Sequence, residues 1–397
     1  MSDFFESRKL QVYDDYKNLL KRRNKKSAVG NGIFNRYRYP VLTTKHVPPH
    51  WVYDLNPETN PFFMMRMGVN AVFNTGAIVR DGKVVLVTRV EGYDQKSFFA
   101  IATSENGIDY FRFDDFPLAI PPLKGIEEFN YADMRLTTHQ DGWIYGTFDA
   151  EVKDISRPND LAATLVKCAI IRTKDFKTWE RLPNLQMPDN TPCDCILHPE
   201  LVNGQYAFYI QSQVRSITRD SAPGIRLAFV RSIENPVVED IKPINRRKFF
   251  TVNQSGTGPG APPIKTDKGW IHLAYGLKKN DDANQAVLYT FMTDLNNPLK
   301  VIYEPGGFLI APEGDELKGG EENQVLSNGW IAREDGSVYI YYSSSNTDVH
   351  VALTSIDQLL DFCMNTPPDG RDTQTIIQQR IDMIKNNEQF LSSHLRD

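Results

Sequence analysis

The stretch DGWIYGTFDA, residues 141–150, contains the pattern that decides the fold. An Asp-Gly pair is followed by a run rich in aromatic and branched side chains. Asp-Gly pairs favour the tight turn of a β-hairpin, because glycine adopts a positive φ without a steric penalty. Aromatic and β-branched residues favour the pleated, half-buried surface of a sheet. We therefore predict a β-hairpin that turns at Gly142.

The same combination of a glycine turn and a strand occurs five times, at intervals of about 60 to 67 residues. The five turn glycines are Gly82, Gly142, Gly204, Gly269 and Gly336. The strands that follow them read KVVLVTRV, WIYGTFDA, QYAFYIQS, WIHLAYGL and SVYIYYSS. Five units of three or four antiparallel strands at this period predict an all-β fold, a five-bladed β-propeller. An irregular all-β protein with five unrelated hairpins is the alternative.

Two segments with helical periodicity flank the repeats. Residues 4–26 carry apolar side chains at helical spacing, and so do residues 373–392 with Ile376, Ile377, Ile381 and Ile384. We expect an N-terminal helical extension at 1–30, a catalytic propeller at 31–365 and a C-terminal helical tail at 366–397. Both helices are expected to pack on the rim of the propeller or against a neighbouring subunit, so a homo-oligomer is possible.

Composition restricts the class of protein. The 397 residues carry a formal net charge of −5, which gives no electrostatic footprint for nucleic acid or an anionic membrane. The N-terminus lacks the apolar stretch of a secretory signal, and no window reaches the roughly 18 apolar residues of a membrane span. The four Cys are therefore expected to be free thiols in a cytoplasmic protein. We expect neither a cofactor nor a metal.

The site is expected where the first strands of the repeats surround the central channel of a propeller. Asn74, Asp133, Asp194, Pro262 and Asn323 lie on these strands, and the other candidates lie on strand ends. Asp133 and Arg135 are two residues apart, so on a regular strand they face the same side and form either a salt bridge or a catalytic acid with its orienting partner. Aromatic rings together with carboxylates and amides are typical of sugar sites. The polar and aromatic candidates are Asn74, Arg89, Lys96, Asp194, Glu200, Gln211, Tyr275, Glu321, Glu322, Asn323, Asn346 and Asp348.

Three longer stretches carry a family resemblance: YADMRLTTHQDGWIYG (131–146), LHPELVNGQYAFY (197–209) and GAPPIKTDKGWIHLAYG (260–276). They resemble glycoside hydrolase family 130, most closely its 4-O-β-mannosyl-glucose phosphorylase branch. The resemblance implies a five-bladed propeller that cleaves β-mannosidic bonds with inversion. It also implies that Asp133 is the general acid, that Asn74 and Arg89 line the sugar site, and that Arg135 lies beside the acid.

The sequence departs from the family where a phosphorylase binds phosphate. Cys193 and Asp194 replace an Arg-Asn pair, Gln211 replaces an Arg, and Tyr275 replaces a His. Each lost charge-assisted bond is worth roughly 1.5–3 kcal/mol. Losing two or three would weaken phosphate binding by about three or more orders of magnitude. Gln95, Gly320 and Asn346 are further departures, near the mannose subsite.

These departures lead us to expect an inverting hydrolase of a manno-oligosaccharide or a β-mannosyl disaccharide. Asp194 would be the general base that activates water, with Glu321 or Glu322 as the second choice. A phosphorylase that uses inorganic phosphate, with Lys96, Lys278 or Lys279 in a rebuilt anion site, is the first alternative. A sugar-binding propeller without catalysis is the second.

Overall fold

The N-terminal segment combines a long helix with short elements. The computed structural model describes residues 2–27, 31–157, 159–160, 162–188, 194–211, 224–245, 256–280, 283–317 and 322–394, and all structural statements concern these residues. This segment contains helix α1 (Ser2–Leu20), strand β1 (Asn35–Arg36), a 3-10 turn (Thr44–His46) and helix α2 (Pro49–Val52).

Three antiparallel sheets of four strands follow, and in each the strands pair in chain order. The first contains β2 (Val69–Arg80), β3 (Lys83–Gly92), β4 (Ser97–Ser104) and β5 (Arg112–Phe113). The second contains β6 (Glu128–Thr138), β7 (Ile144–Lys153), β8 (Thr164–Thr173) and β9 (Trp179–Leu182). The third contains β10 (Cys195–Leu197), β11 (Tyr206–Gln211), β12 (Ile225–Val230) and β13 (Asp240–Asn245).

The remaining strands form one sheet of eight. It contains β14 (Gly256–Lys265), β15 (Trp270–Asn280), β16 (Ala283–Thr293), β17 (Val301–Tyr303), β18 (Glu322–Ala332), β19 (Ser337–Ser344), β20 (Asp348–Ser355) and β1. A short parallel pairing of β16 with β18 joins its two halves, and β1 pairs with β20 as an edge strand. Helices α3 (Ile356–Asn365) and α4 (Thr373–His394) complete the chain, with a 3-10 turn at Gly314–Glu316.

The first strands of the repeated units contact one another in a cycle. β2 contacts β6, β6 contacts β10, β10 contacts β14, β14 contacts β18, and β18 contacts β2. Apolar side chains fill the spaces between neighbouring sheets, for example Val87 with Met134, and Tyr145 with Leu197. The cycle places the beginnings of the five strands close together, where the sequence predicts the site.

The prediction of a mostly β fold is confirmed. All five turn glycines have a positive φ, from 76° at Gly82 to 149° at Gly269, as hairpin turns require. The number of blades stays a prediction, since the strands form four sheets and two of the expected units share one of them.

The two flanking helices are present, with one difference in extent and one in packing. Helix α1 ends at Leu20, before the expected residue 26, because the following segment pairs with a later one: Arg38 N–H donates to the Lys25 carbonyl, and Lys26 forms a β-bridge with Tyr37. It buries Phe5 and Leu20. Helix α4 buries none of its residues, and Ile377 is 52% exposed, so its apolar side chains do not pack on the rim, and the alternative expectation, packing against a neighbouring subunit, stays a prediction.

Two cysteines differ from the expectation. Cys168 on β8 and Cys195 on β10 lie on neighbouring sheets with their Cα atoms 6.3 Å apart and form a disulfide. The prediction of free thiols is wrong for this pair, because spacing along the chain does not show which residues neighbouring sheets bring together. Cys363 is a free, buried thiol, and Cys193 lies outside the described residues.

None of the helices within the described residues has the length and apolar character that a membrane crossing requires.

Candidate active site

Bulges in the first strands aim the polar side chains of the site. The pairing of β2 with β3 shifts register between Phe73 and Thr75, and that of β6 with β7 shifts between Ala132 and Arg135. Two residues within these shifts have a positive φ, Asn74 at 47° and Asp133 at 62°. Non-glycine residues with positive φ are uncommon and often occur at functional sites. A bulge leaves a residue out of the ladder and redirects its side chain, so both residues point away from their sheets.

The Asp133 carboxylate is held by one amide and one distant cation. Asn74 Nδ2 donates a hydrogen bond of 2.8 Å to Asp133 Oδ1. Arg89 Nη1 lies 3.7 Å from the same oxygen. Asn74 is itself fixed, since its backbone N–H donates to Ser343 Oγ at 2.6 Å. The side chain of Asp133 remains 24% exposed, so a proton donor in a fixed orientation is accessible from solvent.

Arg135 is buried, and its carboxylate partner is Asp194. Arg135 Nη2 lies 3.5 Å from Asp194 Oδ2, while Nε donates to the Gly260 carbonyl at 3.1 Å. Towards Asp133, Arg135 Nη1 donates only to the backbone carbonyl, also at 3.1 Å. Of the two readings of this pair, the salt bridge between the Asp133 and Arg135 side chains is therefore not formed, and the reading as an acid with its orienting partner stays a prediction. The salt bridge does not form because the bulge at Asp133 breaks the alternation that would place both side chains on one face.

Asp194 also accepts a hydrogen bond from Tyr275. The phenol oxygen of Tyr275 lies 2.7 Å from Asp194 Oδ2 and 2.9 Å from Gln211 Oε1. A phenol has one hydrogen, and Tyr275 donates it to Asp194. The two ends of an amide are assigned from their hydrogen bonds, so we orient the Gln211 side chain with its N–H donating to the phenol oxygen. A Cβ at Gly258 would lie 2.4 Å from that oxygen, so the glycine leaves room for the ring.

Burial and charge determine how the side chains around Asp194 titrate. Burial, followed by the negative charge of Asp194, raises the pKa of Tyr275 well above its usual value, so Tyr275 stays a neutral donor. Burial alone would lower the pKa of Arg135, but the charges of Asp194 and Asp133 outweigh burial and raise it. Arg135 is thus a permanent cation.

Asp149 belongs to this group, and the sequence analysis missed it. It lies on β7 opposite Ala132 of β6, the residue that precedes Asp133. The residue keeps some exposed surface, but protein atoms enclose its carboxyl group. Burial, then repulsion by Asp194, raises the pKa of Asp149 well above its usual value. A lone acid within the apolar run IYGTFDA was the signal that could have identified it.

The structure therefore brings together seven predicted residues, Asn74, Arg89, Asp133, Arg135, Asp194, Gln211 and Tyr275. Gln95 and Lys96 are exposed in the turn between β3 and β4. Asn346 and Asp348 lie at the turn between β19 and β20, and this turn contacts β2 where Val72 N–H donates to the Thr347 carbonyl.

Several predicted residues cannot be placed. Glu321 and Gly320 lie outside the described residues. Glu322 begins β18, and Lys278 and Lys279 lie near the end of β15, but their side chains are not described. The second-choice base and the alternative lysines for phosphate thus stay predictions. Among the side chains that the structure describes, no three His, Cys, Asp or Glu are grouped in a way that could hold a metal.

A cavity of about 510 Å³ opens at the other ends of the first strands. Its lining includes Val79 and Thr138, together with Glu200 and Lys265, which pair at 2.5 Å. None of the seven grouped residues lines it. The grouped residues, and not this cavity, are the candidate active site, because the carboxylates, the buried guanidinium and the altered pKa values are found among them.

The grouped residues can supply a proton donor beside a second, cation-paired carboxylate. Comparisons with known proteins identify the family of the chain. The model of glycoside hydrolase family 130, described as β-1,4-mannooligosaccharide phosphorylase, matches residues 49–365. A 4-O-β-D-mannosyl-D-glucose phosphorylase of Bacteroides fragilis is 44% identical over 384 residues, which cover 96% of this chain and 98% of that protein.

Solved structures agree on the fold. A β-1,2-mannobiose phosphorylase from Listeria innocua, in complex with β-1,2-mannobiose, superposes with a TM-score of 0.64 at 19% identity, covering 86% of this chain and 99% of that one. Another structure gives a TM-score of 0.60 at 18% identity, covering 88% and 100% of the two chains. It comes from work showing that this family of mannoside phosphorylases contains glycoside hydrolases that target β-1,2-mannosidic linkages in Candida mannan.

Proposed function

The chain belongs to glycoside hydrolase family 130 and is an enzyme, and we propose that it cleaves a β-mannosidic bond with inversion and transfers the mannose to phosphate. The observation that carries this proposal is the 44% identity, over almost the full length of both chains, to a relative that is a β-mannosyl-glucose phosphorylase. The substrate class is a manno-oligosaccharide or a β-mannosyl disaccharide. Phosphorolysis, the alternative of the sequence analysis, thereby takes precedence over hydrolysis.

Asp133 is the proposed general acid. Its carboxyl is partly exposed and is oriented by Asn74, which is itself fixed by Ser343. An inverting displacement needs one protein group that gives a proton to the leaving oxygen, while the acceptor attacks from the opposite face of the sugar. Arg89, close to the same carboxylate, is proposed to stabilise the charge that remains on Asp133 after proton transfer.

Hydrolysis is the second candidate, because one observation favours it. The buried Arg135, a cation that could help bind an anion, is paired with Asp194 at 3.5 Å, and the family resemblance implies that Asp194 replaces a residue of the phosphate site. A carboxylate repels a phosphate dianion but accepts a proton from water, so Asp194 has the chemistry of the base of an inverting hydrolase.

The two reactions differ in their products. We would incubate the enzyme with β-1,4-mannosyl-glucose and with mannobioses, with and without phosphate, and measure mannose 1-phosphate and free mannose. Phosphorolysis yields mannose 1-phosphate only when phosphate is present. Free mannose released at the same rate without phosphate would overturn the proposal in favour of hydrolysis.

The variant Asp194→Asn makes this experiment sharper. In a phosphorylase it removes a negative charge from the acceptor pocket, so the KM for phosphate should fall. In a hydrolase it removes the base, and kcat should fall by about 10²–10⁴-fold. Asp267→Asn is the matched control, since Asp267 is exposed and pairs with its neighbour Lys268 at 3.0 Å, away from Asp133 and Asp194.

The organisation of the chain is part of the proposal. We propose that the eight-stranded sheet consists of two blades, so that five blades surround the site. The catalytic unit is proposed to span residues 31–365, between an N-terminal extension and a C-terminal tail. The contact cycle of β2, β6, β10, β14 and β18 supports this arrangement.

A further inference from the structure

The guanidinium of Arg89 is held by side chains on three strands. Its Nε donates a hydrogen bond of 2.8 Å to Ser97 Oγ, and its Nη2 donates one of 3.2 Å to Glu91 Oε2. Its Cζ lies 4.6 Å from the ring centroid of Phe73, a cation–π contact. Its Nη1 lies 3.7 Å from Asp133 Oδ1, which is too far for a hydrogen bond. Arg89 is therefore fixed by these three side chains and only approaches Asp133.

Strand geometry explains why these side chains meet. Arg89 and Glu91 are two residues apart on β3, whose pairing with β4 is regular, so both side chains lie on the same face. Phe73 of β2 lies opposite Arg89, and Ser97 of β4 lies opposite Glu91. Glu91 is itself fixed, because its Oε1 accepts a hydrogen bond of 2.8 Å from Asn70 Nδ2. The sheet therefore sets the position of Glu91, and Glu91 helps to set that of Arg89.

Glu91 is the carboxylate that offsets the charge of Arg89. Arg89 and Glu91 are only 17% and 16% exposed, so salt screens their attraction less than that of a surface pair. The second cation near Asp133 is Arg135 on β6, which donates to the Asp133 carbonyl and is paired with Asp194. Of these two arginines, Arg89 is the one whose guanidinium approaches the Asp133 carboxylate, so the charge at this carboxylate depends on Arg89 and its partner.

The other groups that face Asp133 are neutral or acidic. On β2, Asn74 donates a hydrogen bond from a neutral amide. On β7, burial, then Asp194 and to a smaller extent Asp133, raise the pKa of Asp149 well above its usual value. A carboxyl with a raised pKa keeps its proton to a higher pH, so Asp149 adds no full negative charge until the pH is high. Neither group replaces Glu91 as the partner of Arg89.

We propose that Glu91 is a positioning residue for the general acid: it holds the Arg89 guanidinium 3.7 Å from Asp133 and offsets its charge, so that Asp133 keeps a proton until the glycosidic bond breaks. The inference rests on the proposed function in taking Asp133 as the acid. A carboxyl next to an uncompensated arginine loses its proton at a pH lower by about 1–3 units. An acid in that state has no proton to give to the leaving oxygen.

The variant Glu91→Gln removes the charge of this side chain and keeps its shape. Its amide oxygen can accept from Arg89, and its N–H can donate to Asn70 once the Asn70 amide turns its oxygen towards it. With less negative charge nearby, Asp133 should lose its proton at a pH about one unit lower than in the wild type. The ratio of wild-type to variant kcat/KM for β-1,4-mannosyl-glucose should therefore be near one at low pH and rise to about tenfold at high pH.

Release of glucose, at one phosphate concentration for all variants, measures this ratio. Ser97→Ala is the matched control, because it removes one hydrogen bond from Arg89 and leaves every charge in place. Its loss of activity should be the same at every pH, since it disturbs only the position of the guanidinium. A wild-type to Glu91→Gln ratio that does not change with pH would overturn the inference.

Carbon-13 NMR of the aspartate carboxyl groups tests the inference without the reaction. The signal of Asp133 is the one missing from Asp133→Asn, and its titration midpoint should lie about one pH unit lower in Glu91→Gln than in the wild type. If the wild type releases no glucose but the midpoint shifts, the proposed function fails and the effect of Glu91 on Asp133 stands. If mannose 1-phosphate and glucose form but the midpoint is equal in both proteins, the proposed function stands and this inference fails.

Discussion

Asp133 and Asp194 are similarly exposed, at 24% and 23%, but the protein holds them differently. Asp133 accepts a hydrogen bond from the neutral amide of Asn74, and the Arg89 guanidinium lies 3.7 Å from the same carboxylate. Asp194 accepts a hydrogen bond from the Tyr275 phenol and pairs with the fully buried guanidinium of Arg135. A general acid must give up a proton in each turnover, so it needs a fixed orientation more than a tightly paired cation. We therefore assign the role of general acid to Asp133 and not to Asp194.

At this scale we predict the effect of Asp133→Asn. The amide keeps the size of the side chain and can still accept from Asn74, but it cannot donate a proton as an acid. We expect kcat to fall by about 10²–10⁴-fold, with little change in the melting temperature. Product release from β-1,4-mannosyl-glucose measures the first and thermal unfolding the second. An activity within tenfold of the wild type would remove Asp133 from the role of acid.

A site residue could be predicted from the sequence when its side-chain chemistry and its position along a strand were enough to identify it. Asp194, Gln211 and Tyr275 were each selected from one chain position, and the structure joins them in one network. Asp149 was missed because its significance depends on a partner 45 residues further along the chain. The ion pair of Arg135 with Asp194 was not predicted, because a bulge is not visible in the alternation of a strand.

At the scale of elements, close packing of the first strands positions the site. A Cβ at Gly329 on β18 would lie 2.5 Å from the backbone nitrogen of Ala77 and 2.7 Å from the carbonyl oxygen of Thr75 on β2. These distances are shorter than any van der Waals contact, and the atoms concerned are backbone. Glycine therefore allows β18 and β2 to approach each other, and this approach holds Asn74 near Ser343.

We predict that Gly329→Ala separates these two strands and lowers the free energy of unfolding by about 1–3 kcal/mol. Urea unfolding monitored by tryptophan fluorescence measures the loss. Gly336→Asn is the matched control: its site is open and has a φ of 80°, a conformation that asparagine tolerates. Equal stability of Gly329→Ala and Gly336→Asn would show that the strands can adjust to an added methyl group.

Elements were predictable because a hairpin is local. Each turn glycine and the strand that follows it lie within about ten residues, and all five turns were identified correctly. The pairing of β16 with β18 was not predictable, because it joins strands of two different repeats through three residue pairs. Such a contact depends on how two sheets pack and not on the sequence pattern within either.

At the scale of the molecule, α4 is the least integrated part of the described chain. None of its 22 residues is buried, although it carries several isoleucines. Periodicity predicted the helix correctly, but it cannot show whether an apolar face has a partner. The sequence therefore indicated that the element exists and did not indicate where it packs.

We predict that a chain ending at Asp372, without α4, keeps its melting temperature within about 2 °C of the full-length value, because exposed residues contribute little to stability. Differential scanning fluorimetry measures this shift, and analytical ultracentrifugation at the same concentration reports the mass of both chains. A fall of more than about 5 °C would contradict the prediction and would indicate that α4 is buried in an assembly of copies.

The pairing of β1 with β20 has a consequence for synthesis in the cell. Asn35 pairs with Leu353 and Arg36 with Ala352, so an early segment of the chain supplies an edge of the last sheet. At roughly 5–20 residues per second, the ribosome needs on the order of 15–60 s between these partners. During that interval the first sheets have no closing neighbour, and apolar residues such as Val72 and Leu86 are without the partners β19 and β20. The nascent protein is therefore a natural client for chaperones until its last sheet has left the ribosome.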